Sequence, residues 1–485
     1  MAKVSQIQEW TSVKRFVGNK DVEFSEITFD SRMASSNALF VAVRGVHVDG
    51  HLFISKAIEA GCSIVVCEEL PNGEYENTTF VLVEDSALAL GEIAAGFYGN
   101  PSEKMVLVGV TGTNGKTTVA TLLHGLFRDM GFESGLFSTV ANFIGSEKLP
   151  STHTTPDPVA LNKIMQRMVD AGCKYCFMEV SSHAIDQKRI AGLSFKGGIF
   201  TNLTHDHLDY HKTFDAYLKA KKAFFDGLPK DAFAIVNVDD KNGMVMVQNC
   251  KAHVKTYSIR SMADYKAKIV ESMFEGMQLV INNEELWTPF VGKFNAQNLL
   301  AVYGAAASLG CDIREVLLSL SRLHSVDGRF QTMRSASGIT AVVDYAHTPD
   351  ALKNVIETIN QIRQPEQALL TVVGAGGDRD KTKRPEMAGV AVSGSDRVIL
   401  TSDNPRSEDP QSIVDDMMEG VDLQSKIKVL TVVDRKEAIK AACMLAKRGD
   451  IVLVAGKGHE DYQEIQGVKH HFDDREVIKE IFDMI

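Results

Sequence analysis

Short apolar runs rich in valine and isoleucine recur along the chain, most of them followed by a stretch with helical periodicity. The run 105–110 predicts a buried strand, and 118–130 a helix with Val119, Leu122, Leu123 and Leu126 on one face. Further strands are predicted at 26–29, 38–43, 63–67 and 80–83, at 175–180, 197–201 and 232–238, and at 340–343, 368–373, 397–400, 427–432 and 451–454. Helical patterns fall between them at 51–60, 87–97, 214–225, 299–309, 350–363 and 436–447. This alternation is the signature of parallel sheets with crossover helices.

One strand-to-helix junction carries chemistry of its own: Thr111-Gly112-Thr113-Asn114-Gly115-Lys116-Thr117-Thr118. Gly112 and Gly115 let backbone N–H groups curl round a phosphate, and the helix start adds partial positive charge. Lys116 supplies a point charge and Thr117 a hydroxyl for Mg²⁺, so the turn predicts a nucleoside triphosphate site. The loop is shorter than the general G-x-x-x-x-G-K-[ST], since Val110 stands where the first glycine is usual.

With the break at Asn100-Pro101-Ser102, the pattern predicts an α/β protein of three domains. A small α/β N-terminal domain covers 1–102, a central P-loop parallel-sheet domain 103–330, and a C-terminal Rossmann-like α/β domain 331–485. The length of 485 residues, 44% hydrophobic and 24% charged, fits a multidomain globular enzyme. A net charge of -11 argues against a general nucleic-acid binder. Cys173-x-x-Cys176 lacks a second pair or histidine partners at zinc-site spacing, and is expected to be two buried thiols. No disulfide is assigned among the seven cysteines. Residues 1–20 lack a signal-peptide pattern, and no uncharged apolar run approaches the roughly 20 residues of a membrane span. A cytoplasmic protein is expected.

Ligands of such sheets lie beyond the carboxyl ends of the strands. Glu179 closes one strand and is placed as a Mg²⁺ ligand; Asn202 to His211, N-L-T-H-D-H-L-D-Y-H, follows another; Lys221 lies in a helix. His183, His205, His207 and His211 do not have zincin spacing. In the third region glycines, charges and amides crowd the strand ends at Asp344-Tyr-Ala-His347, Gly374 to Lys381, Thr401 to Ser407 and Ala455 to Asp461, which predicts a binding surface.

Taken in order, T-G-T-N-G-K-T-T, E-V-S-S-H, N-L-T-x-D-H-L-D-Y-H, Y-x-x-A-K, G-x-F-N-x-x-N, D-G-R, D-Y-A-H-T-P and G-K-G-H-E resemble the Mur ligases of bacterial cell-wall synthesis over essentially the whole chain. The resemblance implies an ATP-dependent amide ligase that phosphorylates the D-glutamate carboxylate of UDP-MurNAc-L-Ala-D-Glu and passes the acyl group to an amine. It implies that Gly112, Thr113, Asn114, Gly115, Lys116, Thr117 and Thr118 bind ATP, with Asn295, Arg329 and Asp344 on adenine, phosphate and ribose. Two Mg²⁺ sites are implied, Thr117 with Glu179, and Glu179 with His207 and Lys221, the lysine being carbamylated in the family. Lys116, Glu179, His207 and Lys221 are then the catalytic set.

Phe29, Ser31, Val46, His47 and Val48 match the positions that hold UDP, and Thr154, Thr155, Ser181, Gln187 and Arg189 those at the muramoyl-dipeptide end. His153 stands where an asparagine is often found. Asp403-Asn404-Pro405-Arg406 resembles the motif of members that add meso-diaminopimelate, with Arg379, Gly456 and Glu460 as further contacts. A guanidinium pairs bidentately with a carboxylate that lysine lacks, so meso-diaminopimelate is expected over L-lysine. The expected partners are these small molecules, without nucleic acid or membrane span, and a monomer is expected. Folylpolyglutamate synthetases share the shortened loop and a two-domain core, but lack a domain such as 1–102 and the D-N-P-R signature. A silent nucleotide-binding protein of the same fold is opposed by intact Lys116, Thr117, Glu179, His207, Lys221 and Arg406.

Overall fold

The computed structural model describes residues 1–45, 48–73, 75–151 and 153–485. Three main sheets organise them. The first has strands in the order Val13–Val17, Thr79–Val83, Ile64–Cys67, Ala38–Val41 and Glu26–Thr28, parallel except for Val13–Val17. The helix Ser86–Phe97 follows it, with Ala89, Leu90 and Ile93 in the core.

The second sheet has eleven strands. Its centre is parallel, in the order Ser134–Phe137, Tyr175–Glu179, Val106–Thr111, Gly197–Phe200, Phe233–Asn237, His253–Ser258 and Tyr265–Met273. The ends are antiparallel: Asn142–Ile144 and Glu147–Leu149 on one side, Gly276–Ile281 and Glu284–Thr288 on the other. The purely parallel sheet expected for this region is therefore extended by hairpins. One is closed by Asn282 and Asn283, both at positive φ, the two-residue turn that matches strand twist.

The helix Lys116–Asp129 buries Val119, Leu122, Leu123, Leu126 and Phe127 against Val108, Val110 and Phe177. The three- and four-residue apolar spacing seen in the sequence is that face, and burying each such side chain contributes about 1.5–3 kcal/mol. Gly131, at φ 84°, ends the helix. Behind it lies Lys293–Ser308, which starts six residues earlier than its apolar pattern suggested, taking Asn295 and Asn298 into its first turns.

The third sheet runs Gln331–Arg334, Thr340–Asp344, Ile451–Ala455, Leu369–Ala375, Arg397–Ser402 and Val429–Thr431, parallel after its first strand. The buried strand expected over 427–432 is corrected: only Val429–Thr431 is strand, at the sheet edge, and Ile427 sits in a 3-10 turn, 94% exposed. An apolar side chain at an edge has no neighbour to cover it. Among the described residues no helix is long and apolar enough to cross a membrane.

Candidate active site

The phosphate-type loop leaves the central strand of the second sheet between Glu179, in register with Val110, and Phe200, in register with Thr111. Two glycines are required there. A Cβ on Gly112, at φ 152°, would stand 1.9 Å from Thr201 Oγ1, and one on Gly115, at φ 86°, 2.6 Å from Asn298 Oδ1. The loop is held from outside. Asn202 accepts from Asn114 N at 2.9 Å and donates to Asn114 O at 3.1 Å, while Thr201 Oγ1 donates to the same carbonyl at 2.6 Å.

Two lysines converge on one carbonyl. Lys116 Nζ donates to Gly112 O at 2.9 Å and Thr113 O at 2.7 Å, and Lys221 Nζ donates to Gly112 O at 2.8 Å. Lys221 is buried, and its burial together with the Lys116 ammonium drives its pKa well below the ordinary lysine value. Burial also lowers the pKa of Lys116, against the opposing charges of Glu179 and Asp206.

Glu179 has no exposed surface; Oε1 accepts from Thr139 N at 2.6 Å, and Oε2 is buried without a hydrogen-bond partner among the described residues. A buried carboxylate oxygen left so is costly unless a cation joins it. Thr117 Oγ1 accepts from Arg329 NH2 at 3.3 Å, which ties the end of the central domain, just before the third sheet, to the loop. His207 adopts φ 54°, and its ring lies 4.9 Å from His183 and 6.1 Å from Tyr217. Burial, with Lys116 and Lys221 adding to it against Asp206, keeps its imidazole neutral. Among the described residues no three His, Cys, Asp or Glu side chains converge. The orphaned Glu179 oxygen, the Thr117 hydroxyl and the His207 imidazole are groups that could hold Mg²⁺, which takes few protein ligands beside phosphate oxygens.

Asp344 lies buried at the end of its strand and accepts from Phe330 N at 2.7 Å. Burial pushes its carboxyl up to about 6, against the nearby Arg329 charge. Arg329 stacks on Tyr345 at 4.5 Å. Asn295 is buried in its helix, donating to Val291 O at 2.9 Å. Asn114 Nδ2 donates to Asp350 Oδ2 at 3.1 Å, a contact between the loop and the third domain.

Near the loop lies a polar network. Thr139 Oγ1 donates to Thr154 Oγ1 at 3.0 Å, Thr155 Oγ1 to Glu179 O at 2.8 Å, and Arg189 to Thr155 O at 2.9 Å and Gln187 Oε1 at 2.7 Å. Ser181 Oγ caps its helix through Ala184 N. In the first domain Phe29 and Val48 are exposed, and Ser31 begins a 3-10 turn capped by Asp30. Val46 and His47 lie outside the described residues.

On the third domain the D-N-P-R segment meets the G-K-G-H-E segment. Asn404 Nδ2 donates to Glu460 Oε2 at 2.8 Å; fully buried Lys457 donates to Asn404 Oδ1 at 3.2 Å and Glu460 Oε2 at 3.3 Å. Asp403 is buried, and a Cβ on Gly456, at φ 119°, would stand 2.4 Å from its Oδ2. Pro405 O stands 1.9 Å from where Gly377 would carry a Cβ. Arg406, at φ 52°, donates to Gly377 O at 2.6 Å and stands 3.6 Å from Glu464, while Arg379 is exposed.

Several residues here escaped sequence reasoning. Asn202, Tyr217 and Lys457 lay inside quoted motifs without a role of their own, whereas Lys383, Arg435 and Asp474 had no signal beyond their chemistry. Arg435 and Asp474, both without exposed surface, make two bonds of 2.8 Å, and Arg435 also donates to Ser402 O at 3.4 Å and Ala455 O at 3.0 Å. Those carbonyls precede Asp403 and Gly456, so the pair aligns two strand ends. Arg435→Met is expected to cost about 3–5 kcal/mol in urea unfolding, because Asp474 stays buried without its cation. Replacing both residues by apolar ones should cost less; a single-variant loss under about 1 kcal/mol would contradict the argument.

Family models match along the chain: "Mur ligase family, catalytic domain" over residues 23–98, "Mur ligase middle domain" over 110–306, and "Mur ligase, glutamate ligase domain" over 328–458. A protein of Phocaeicola vulgatus named UDP-N-acetylmuramoyl-L-alanyl-D-glutamate--2,6-diaminopimelate ligase is 58% identical over 480 residues, 99% of each chain. One of Clostridium tetani with the same name is 41% identical over 96% of each. A solved structure of a ligase of this name superposes with a TM-score of 0.71 at 32% identity, covering 100% of this chain and 99% of its own. The folylpolyglutamate synthase of Mycobacterium tuberculosis shares the fold, with a TM-score of 0.62 at 17% identity over 77% of this chain.

Proposed function

The chain belongs to the Mur ligase family, and we propose that it joins meso-2,6-diaminopimelate to UDP-N-acetylmuramoyl-L-alanyl-D-glutamate with hydrolysis of ATP, a step of peptidoglycan precursor synthesis. The observation that carries this reading is the full-length match to ligases of that name at 58% identity. The phosphate-type loop of the second domain and the linked Asn404, Lys457 and Glu460 at the strand ends of the third support it.

A carboxylate oxygen of the D-glutamyl group attacks the γ-phosphorus, the bond to the β–γ bridging oxygen breaks, and ADP leaves with an acyl phosphate behind it. The free amine nitrogen of diaminopimelate then attacks the acyl carbon, the C–O bond to phosphate breaks, and the nitrogen's proton goes to solvent or to the leaving phosphate. Bringing two anions together is the obstacle, so fixed positive groups matter more than a nucleophilic side chain. The backbone N–H groups of 112–118, the Lys116 ammonium and the Arg329 guanidinium supply them. Thr117, Glu179 and His207 would hold Mg²⁺, which adds positive charge between nucleotide and carboxylate.

Lys221 cannot serve as a ligand while it is an ammonium; burial and the Lys116 charge lower its pKa and so favour the free amine, whose nitrogen attacks CO₂ and loses a proton, giving a carbamate anion. This supports a carbamylated Lys221 beside the second Mg²⁺. In the same reading residues 1–102 hold UDP through Phe29, Ser31 and 46–48; Thr154, Thr155, Ser181, Gln187 and Arg189 hold the muramoyl-dipeptide; Asn295, Arg329 and Asp344 hold the nucleotide. Residues 331–485 hold diaminopimelate through Arg379, 403–406, Gly456 and Glu460. A cytoplasmic monomer belongs to this reading, and gel filtration tests the monomer.

The deciding measurement is phosphate release by the purified protein with ATP, Mg²⁺, UDP-MurNAc-L-Ala-D-Glu and diaminopimelate. Release should require all four. Turnover with a folate and glutamate, or release that ignores the amino acid, would overturn the assignment.

A further inference from the structure

Lys383 opens the helix Lys383–Gly394 of the third domain, yet its Nζ lies 2.7 Å from Asp206 Oδ1 in the loop of the second. Both side chains are largely buried, at 18% and 10% exposure. The same Oδ1 accepts from His207 N at 2.8 Å. His207 needs such a bond, because its φ of 54° is a conformation that a non-glycine residue rarely holds unaided. Other titratable groups surround Asp206. Its charge is felt by Lys116 and Lys221, and His207 and His347 face it as well.

Lys383 is also fixed to its own domain. The next residue, Arg384, is buried and donates to Glu408 at 2.7 and 3.0 Å, to Asp416 at 2.7 Å and to Gly376 O at 3.3 Å. The ammonium therefore reaches Asp206 only when the third domain stands where it does here. We infer that Lys383 is a positioning residue: by holding Asp206 it sets the backbone of His207, so that the nucleotide site is complete only with the amino-acid-binding domain docked. This rests on the ligase reading above. Its consequence is that carboxylate activation waits for the domain that carries the amine.

The test uses the full chain as Lys383→Met, Lys383→Arg and Asp206→Asn. Without nucleotide or metal, the His207 Cα chemical shift in histidine-labelled protein reports its φ, and small-angle scattering reports domain separation. Lys383→Met should move the His207 shift and extend the particle, and Asp206→Asn should move the shift; Lys383→Arg should keep both near wild type. In phosphate release, the Mg²⁺ concentration for half-activity should rise about 10-fold or more in Lys383→Met and Asp206→Asn, the scale for groups that orient a ligand. An unmoved His207 shift in Lys383→Met, or an equal loss in Lys383→Arg, would overturn the inference. Altered shift and scattering in a protein with no ligase activity would instead overturn the function and leave the coupling standing.

Discussion

Lys221→Ala is expected to lower kcat by roughly 10³-fold or more, beyond the loss of a single charge-stabilising hydrogen bond. The residue is 1% exposed, its only hydrogen bond among the described residues goes to Gly112 O, and Lys116 already serves that carbonyl. As a plain structural lysine it would be nearly dispensable; as a carbamate it supplies a buried anion. A carbonyl signal from protein incubated with ¹³C-bicarbonate, absent in the variant, would identify the adduct. Undiminished turnover of Lys221→Ala would exclude an essential carbamate.

The pH behaviour follows with its sign. A buried amine whose folded pKa is depressed makes the unfolded state bind more protons between that pKa and the ordinary 10.5, so stability rises with pH across that window. In bicarbonate-free buffer Lys221→Met should therefore be more stable than the wild type at neutral pH. The gain should shrink as pH climbs toward 10.5. Parallel pH–stability curves for the two proteins would contradict the burial argument.

The second large effect concerns the amine. Two charge-assisted hydrogen bonds from Arg406 to the distal carboxylate, at about 1.5–3 kcal/mol each, predict a kcat/KM for meso-diaminopimelate roughly 10²–10⁴-fold above that for L-lysine. Because Gly377 O and Glu464 engage Arg406 even without substrate, the guanidinium is not stranded when lysine binds, which favours the lower half of that range. Three of its five N–H donors remain for a carboxylate. Arg406→Lys should lose most of the preference through the diaminopimelate KM while leaving the ATP KM unchanged. Comparable kcat/KM for the two amino acids with the wild-type protein would sink the assignment.

Glu460 carries a related message. Its matched role is toward the distal ammonium, yet here it accepts from Asn404 and buried Lys457. A carboxylate that already neutralises a lysine attracts a second cation less strongly, so the guanidinium rather than Glu460 is expected to dominate discrimination.

The sequence by itself determined what local geometry encodes. Glycines at 112 and 115, the Lys-Thr pair, the apolar face from Val119 to Leu126 and the polar residues after each apolar strand are set by spacings of a few residues, and those spacings survive any tertiary arrangement. The family motifs extended this to the ends of strands far apart in the chain. Tertiary structure alone decided what depends on who covers whom. Lys383 meets Asp206 across 177 residues and Arg435 meets Asp474 across 39, and neither pairing has a periodic signal. The pKa of Lys221 is depressed because the fold buries its ammonium beside Lys116, with Gly112 O and the Tyr217 ring against it, whereas in the sequence it is one lysine among several on a helix. Ile427 looked like core and lies at an open edge, since apolar content records a preference for burial but not the neighbour that satisfies it.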